Sequence, residues 1–148
     1  MRAGELARPY PVIAITASAV DAGRMLAEED TDVLLVQGTD GEPVGALHDI
    51  GLLTALLPHY LVEDRALARV LGEGDADDLW SRLDGKTVAD LLQSNPAPLP
   101  TVPKDATLVQ IAAEMCATGA ALVAVVDGTR ILGGVTTSAL LTRLLGSR

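Results

Sequence analysis

Two histidines, one cysteine, one tryptophan and a short acidic run are the side chains of widest chemical scope in this 148-residue chain, and their spacing assembles no catalytic set. His48 and His59 have no Cys pair or paired-carboxylate motif beside them, so they do not form a metal site. His48 stands where an apolar run gives way to a helical pattern and is expected to cap or pack. His59 follows Pro58 at a helix end, where its partial charge suits the carbonyl terminus. Cys116 lies beside Met115 in an apolar helical pattern and reads as a buried structural thiol without a disulfide partner. The acidic run from Glu73 to Asp78 lacks the alternating Asp, Asn and Gly of a calcium loop and reads as a solvated turn leading into a helix. There is no Gly-rich phosphate loop with Lys, no GxSxG turn and no Cys–His pairing. These absences leave an enzyme without catalytic residues and direct attention to binding.

Almost half of the residues are apolar, 49%, yet aromatics make up 2% and Phe is absent, so the core must be built from Ala, Val, Leu and Ile. No apolar run approaches the roughly 20 residues that span a bilayer, and the amino terminus lacks a signal-peptide core. A cytoplasmic protein without membrane insertion is expected. The formal net charge of −9, with eleven scattered Lys and Arg residues, would repel a phosphate backbone, which argues against nucleic acid as a partner.

The elements that must position any binding site are written twice. Leu52 to Leu57 reads LLTALL and Leu140 to Leu145 reads LLTRLL, an offset of 88 residues. At an offset of 89, Ala19, Ala22, Gly23 and Leu26 fall on Leu108, Ile111, Ala112 and Met115, both sets spaced as one helical face. Between these helices lie the runs Val33 to Val36 and Leu122 to Val126. Each precedes an Asp-Gly pair, Asp40-Gly41 and Asp127-Gly128, that suits a tight hairpin turn into a second strand, Val44 to Leu47 and Ile131 to Val135. Extended segments at Pro11 to Ile15 and Pro98 to Val102 enter the first helices, with Ser18 and Asp105 as expected N-caps. A short apolar helix, Ala3 to Ala7 or Thr87 to Leu92, precedes each half. The predicted order is therefore strand, helix, strand, strand, helix, twice, in residues 1–57 and 86–148. The insert 58–85 holds two short helical patterns, ALARVL and DDLWSRL, and Trp80 is expected to anchor it on the body.

This order, the repeat and the hairpin ending in Gly resemble the CBS-domain family, with the two copies forming a Bateman module. The stretches that carry the resemblance are Val44-Gly45-Ala46-Leu47-His48-Asp49-Ile50-Gly51-Leu52-Leu53 and Leu132-Gly133-Gly134-Val135-Thr136-Thr137-Ser138-Ala139-Leu140-Leu141. They align with a family pattern of Gly, two apolar residues, Thr or Ser, two variable residues, Asp, then two apolar residues. The resemblance implies an α+β fold in which two CBS repeats are related by a pseudo-twofold axis, with the helical insert covering one side. It also implies a non-enzymatic regulatory module sensing an adenosine-type ligand, AMP, ADP, ATP or S-adenosylmethionine, with no obligatory cofactor, and acting on an effector protein.

Carried over residue by residue, the family's base-lining strand corresponds to Leu99, Pro100 and Thr101 in the second cleft, with Thr136 and Thr137 near phosphate. The first cleft would use Val12, Ile13 and Ala14, with His48 and Asp49 at the helix start. The sequence departs from the pattern at the ribose-binding Asp, which is Gly51 in the first repeat and Ala139 in the second, and His48 replaces the first hydroxyl residue. Losing a hydrogen bond to a charged group, about 1.5–3 kcal/mol, weakens binding by about one to two powers of ten. The Asp49 carboxylate would also oppose phosphate. The second cleft is therefore the better nucleotide site, and the alternative is a ligand-free dimerisation or scaffold module with degenerate clefts. A homodimer is expected through the leucine-rich helices, with Leu56 and Leu144 at the interface.

Overall fold

The computed structural model describes residues 1–70 and 78–146. Each half contributes a three-stranded sheet. The first is β1 (Val12–Ala14), β2 (Val33–Gln37) and β3 (Pro43–His48), and the second is β4 (Thr101–Pro103), β5 (Leu122–Asp127) and β6 (Arg130–Thr136). In both, the first strand runs parallel to the second and the second antiparallel to the third. The registers repeat as well: Val12 pairs with Leu35 and Thr101 with Ala124, while the bulge at Val36/Gln37 recurs at Val125/Val126. Gly41 and Gly128 take positive φ, 90° and 66°, as the two hairpin turns require.

The unbroken apolar run of β2 follows from a sheet covered on both faces. Leu34 and Val36 point into the first core with Ile13, Ala19, Ala22, Leu26 and Leu52. Val33 and Leu35 point the other way, into a central cluster with Ala46 and Leu122 that joins the halves. In the second half Val123, Val125 and Val135 pack with Ile111 and Met115. The halves thus contact one another through their sheets, as the expected α+β pair of repeats requires.

The helices that cover the outer faces are α2 (Ala19–Glu28) and α3 (Asp49–Leu56) in the first half, and α6 (Leu108–Thr118) and α7 (Thr137–Gly146) in the second. Ser18 caps α2 by accepting from the Asp21 amide. Asp105 does not cap α6. Thr107 does, because Gln110 three residues on completes a reciprocal capping box, while Asp105 offers its carbonyl to Arg2. Cys116 is exposed rather than buried, since Ile111 and Met115 take the inward face of α6 and the next residue turns about 100° away.

Two short helices, α1 (Ala3–Leu6) and α5 (Val88–Ser94), precede β1 and β4, and each packs on the opposite half. The Ala3 and Gly4 amides donate to the carbonyls of Ala106 and Lys104, and Ala3 is wholly buried in the second core. In mirror fashion the Val88 and Ala89 amides donate to Ala17 and Ile15, and Val88 and Leu91 belong to the first core. The chain start therefore straps across the second half before entering the first.

Among its described residues the insert contains α4 (His59–Glu63) and two 3₁₀ segments, Arg65–Val70 and Trp80–Leu83. His59 opens a helix instead of closing one, because Pro58 takes the N-cap position, and its Nε2 lies 2.9 Å from Glu63 Oε1 in an exposed pair. Leu83 is fully buried in the first core, whereas Trp80 rests on Gly23 and stays 45% exposed. The anchor expected of Trp80 is thus shared with Leu83, which is the better buried of the two. The acidic run Glu73 to Asp78 lies outside the described residues except for Asp78.

Candidate functional site

On one face, where the two repeats meet, the equivalent ends of both sheets converge. Asp32, Val33 and His48 from the first half and Ala121, Leu122, Thr136, Thr137 and Ser138 from the second line a cavity of about 300 Å³, together with Tyr10. Beside it a cleft of about 190 Å³ is lined by Leu6, Arg8, Tyr10, Thr136, Ser138, Ala139, Thr142 and Arg143. Tyr10, Thr136 and Ser138 belong to both, so the two spaces adjoin and only together reach well into the size range of small-ligand sites.

The strap fixes one wall. Arg8 exchanges backbone hydrogen bonds with Gly134 of β6, 3.0 Å from its amide and 2.9 Å to its carbonyl. This contact needs glycine on β6, because a Cβ at Gly133 would run into the Arg8 carbonyl and one at Gly134 would lie 3.1 Å from the Tyr10 ring. Burial is the main cause that raises the Tyr10 pKa above its ordinary value. The Asp32 charge adds to that and Arg8 opposes it, so the phenol is neutral at physiological pH and can donate.

The start of α7 forms the other wall. Thr136 Oγ1 accepts from the Ala139 amide at 3.1 Å, capping the helix and leaving its hydroxyl hydrogen for an acceptor in the cleft. Thr137 Oγ1 donates to the Ala121 carbonyl at 3.3 Å. Neither hydroxyl is hydrogen-bonded to His48. Among the described residues no group of three or more His, Cys, Asp and Glu is placed to hold a metal ion.

The first half offers counterparts of about 230 and 330 Å³. These are lined by Val44, Gly45, Leu92 and Pro96–Pro98, and by Gly51, Thr54, Ala55, Asn95 and the oppositely charged Lys86 and Asp90 among others. The Asn95 side chain occupies the space over Gly51, where an added Cβ would meet its Nδ2 at 2.8 Å. Asp49 Oδ1 accepts from the Ile50 amide at 2.7 Å, which places its carboxylate at the first turn of α3.

Of the residues singled out in the sequence, Thr136, Thr137 and His48 come together in the cavity of about 300 Å³. Leu99, Pro100 and Thr101 line neither of the two adjoining spaces. Leu99 packs on the central cluster, the Pro100 carbonyl accepts from Ala124, and Thr101 is paired in β4. Val12 and Ala14 are exposed on β1, and Ile13 is buried in the first core. The lining of the second cleft instead crosses the repeats, drawing Arg8 and Tyr10 from ahead of β1. These two, with Asp32 and Arg143, were not singled out by the sequence reading. Tyr10 is one of only two tyrosines, and Arg143 breaks the otherwise matched LLTALL and LLTRLL.

A scan of family models finds no match, and a search of curated proteins finds none. Solved structures do match along the whole chain. A CBS domain-containing protein from Kribbella flavida is 36% identical, with 98% of this chain and 99% of that one covered and a TM-score of 0.86. CBSX2 of Arabidopsis thaliana, solved in complex with AMP, is 23% identical over 99% of this chain and 97% of its own, at a TM-score of 0.63. The CBS domain pair of MJ0100, solved with 5′-methylthioadenosine and S-adenosyl-L-methionine, is 19% identical over 99% and 97%, at 0.62.

Proposed function

This chain belongs to the CBS-domain family as a tandem pair of repeats, and on that footing we propose that it is a non-enzymatic regulatory module that senses an adenosine-type nucleotide in its second cleft and signals to a partner protein. The observation that carries the reading is the convergence of Arg8 and Tyr10 from the chain start with Thr136 and Ser138 from the start of α7. A ligand seated there touches both the strap and the second repeat, so its binding energy acts on the contact between the halves. The complex of CBSX2 with AMP and that of MJ0100 with 5′-methylthioadenosine and S-adenosyl-L-methionine support an adenosine-type ligand. AMP, ADP, ATP and S-adenosylmethionine are the ligands to test.

Titration calorimetry with AMP tests the reading. One site per chain is expected. Thr136→Val should weaken binding about five- to tenfold, the loss of one hydroxyl contact, whereas Thr136→Ser, which keeps both the cap and the hydroxyl, should retain it. Asp49→Asn should leave the site intact. Unchanged affinity in Thr136→Val would contradict the assignment.

A ligand-free dimerisation module remains the second reading, favoured by the loss of the family carboxylate at both Gly51 and Ala139. Both readings include a homodimer. Ile50 (65%), Leu53 (52%), Leu141 (50%) and Leu145 (61%) are exposed along α3 and α7, a surface that suits a second copy of the chain. Leu56, expected at this interface from the sequence, is buried in the first core and does not serve there. The pair Leu53→Glu and Leu141→Glu should therefore convert a dimer to monomer in sedimentation, and an unaltered dimer would move the interface elsewhere.

A further inference from the structure

The two clefts differ in charge at matched positions. In the second, Arg8 and Arg143 line the space with Thr136, Ser138, Ala139 and Thr142, and its one acidic neighbour in the site, Asp32, lines the adjoining cavity. Arg8 corresponds to Ala97 of the first half, since each contacts the equivalent point of the third strand: the Arg8 backbone bonds to Gly134, and the Ala97 carbonyl accepts from Ala46. Arg143 corresponds to Ala55 through the repeated leucine motif. So both arginines are peculiar to the second cleft. They appear in the same cleft where the carboxylate expected to hold the ribose hydroxyls has been replaced by Ala139, one helical turn before Arg143.

These changes are chemically linked. A carboxylate accepts hydrogen bonds from a free ribose diol and repels a phosphorylated one. Removing it and adding guanidinium groups reverses that preference, as in dinucleotide-binding folds where an acidic ribose ligand gives way to a site with a nearby Arg for a 2′-phosphate. The chain carries a net charge of −9, so an anionic ligand gains nothing from its surface at large and must be drawn by this local pair. We propose that the second cleft takes an adenosine nucleotide whose ribose carries a phosphate on its 2′ or 3′ oxygen, held by Arg8 and Arg143. This rests on the adenosine reading above and narrows it.

Calorimetry with adenosine 3′,5′-bisphosphate, adenosine 2′,5′-bisphosphate, AMP and ADP tests the proposal. At least one bisphosphate should bind about tenfold or more tightly than AMP, and more tightly than ADP, which has its additional charge on the 5′ chain instead of the ribose. Arg8→Gln with Arg143→Gln should bring the ratio of bisphosphate to AMP affinity close to one. Ala139→Asp, which restores the carboxylate at a helix position that favours it, should invert the ratio. AMP or ADP binding as tightly as both bisphosphates would overturn the proposal while sparing the adenosine reading. Failure of all four nucleotides to bind would overturn both.

Discussion

Gly133→Ala should destabilise the protein by about 2–4 kcal/mol, while the equivalent Gly45→Ala should cost less than about 1 kcal/mol. At Gly133 the added Cβ meets the Arg8 carbonyl, which belongs to backbone and cannot turn aside. Relief requires the strap to move, and with it go the two hydrogen bonds between Arg8 and Gly134. At Gly45 the nearest obstacle is the end of the Leu92 side chain at 3.0 Å, and the Ala97 carbonyl lies 3.7 Å away. A leucine rotamer can adjust. In a thermal melt the Gly133 variant should lose roughly 6–12 °C, and equal losses at the two glycines would refute the close approach of the strap. Because Arg8 and Tyr10 form one wall of the cleft, the same variant should also lose nucleotide affinity.

Leu83→Ala should cost about 2–5 kcal/mol, the range for a fully buried leucine, and more than Trp80→Ala. The order is opposite to what residue size suggests. Leu83 has no exposed surface and is embedded with Ala19, Leu52 and Val88, so its removal opens a void that close-packed neighbours fill only in part. Trp80 lies on Gly23 and keeps nearly half of its surface in solvent, so its truncation forfeits mainly one face of ring contact. Urea denaturation of the two variants measures the difference. A larger loss at Trp80 would show that the insert is held by the indole.

The repeated architecture was legible because it rests on local signals that recur. The alternation of short apolar runs, Asp-Gly turns and leucine-rich helices sets each three-stranded sheet and its register. The buried face of α2, Ala19, Ala22, Gly23 and Leu26, is the one its spacing indicates. The same reasoning fails where one residue decides between faces. Cys116 shares an apolar stretch with Met115 but not its side of the helix. Leu56 looked like surplus apolar surface and is core.

The candidate site was legible only in part, and for a different reason. Thr136, Thr137 and His48 sit at strand-to-helix junctions, which sequence marks well. Their partners are set by tertiary packing. Nothing local in Ala3–Leu6 says that it will cover the second core instead of the repeat that follows it, yet that choice brings Arg8 and Tyr10 to Thr136. The residues lining the cleft thus come from opposite ends of the chain. A comparison of matched positions would have flagged Arg143 against Ala55, whereas pairing Arg8 with Ala97 needed the strand contacts.

The claim that the second cleft is the nucleotide site is tested most directly by following backbone amide signals during titration with AMP. The account predicts shifts confined to Arg8, Tyr10 and the stretch from Gly134 to Arg143, saturating at one ligand per chain. Shifts centred on His48 to Thr54 and Asn95 with the second cleft unmoved, or no shifts up to about 1 mM, would contradict it.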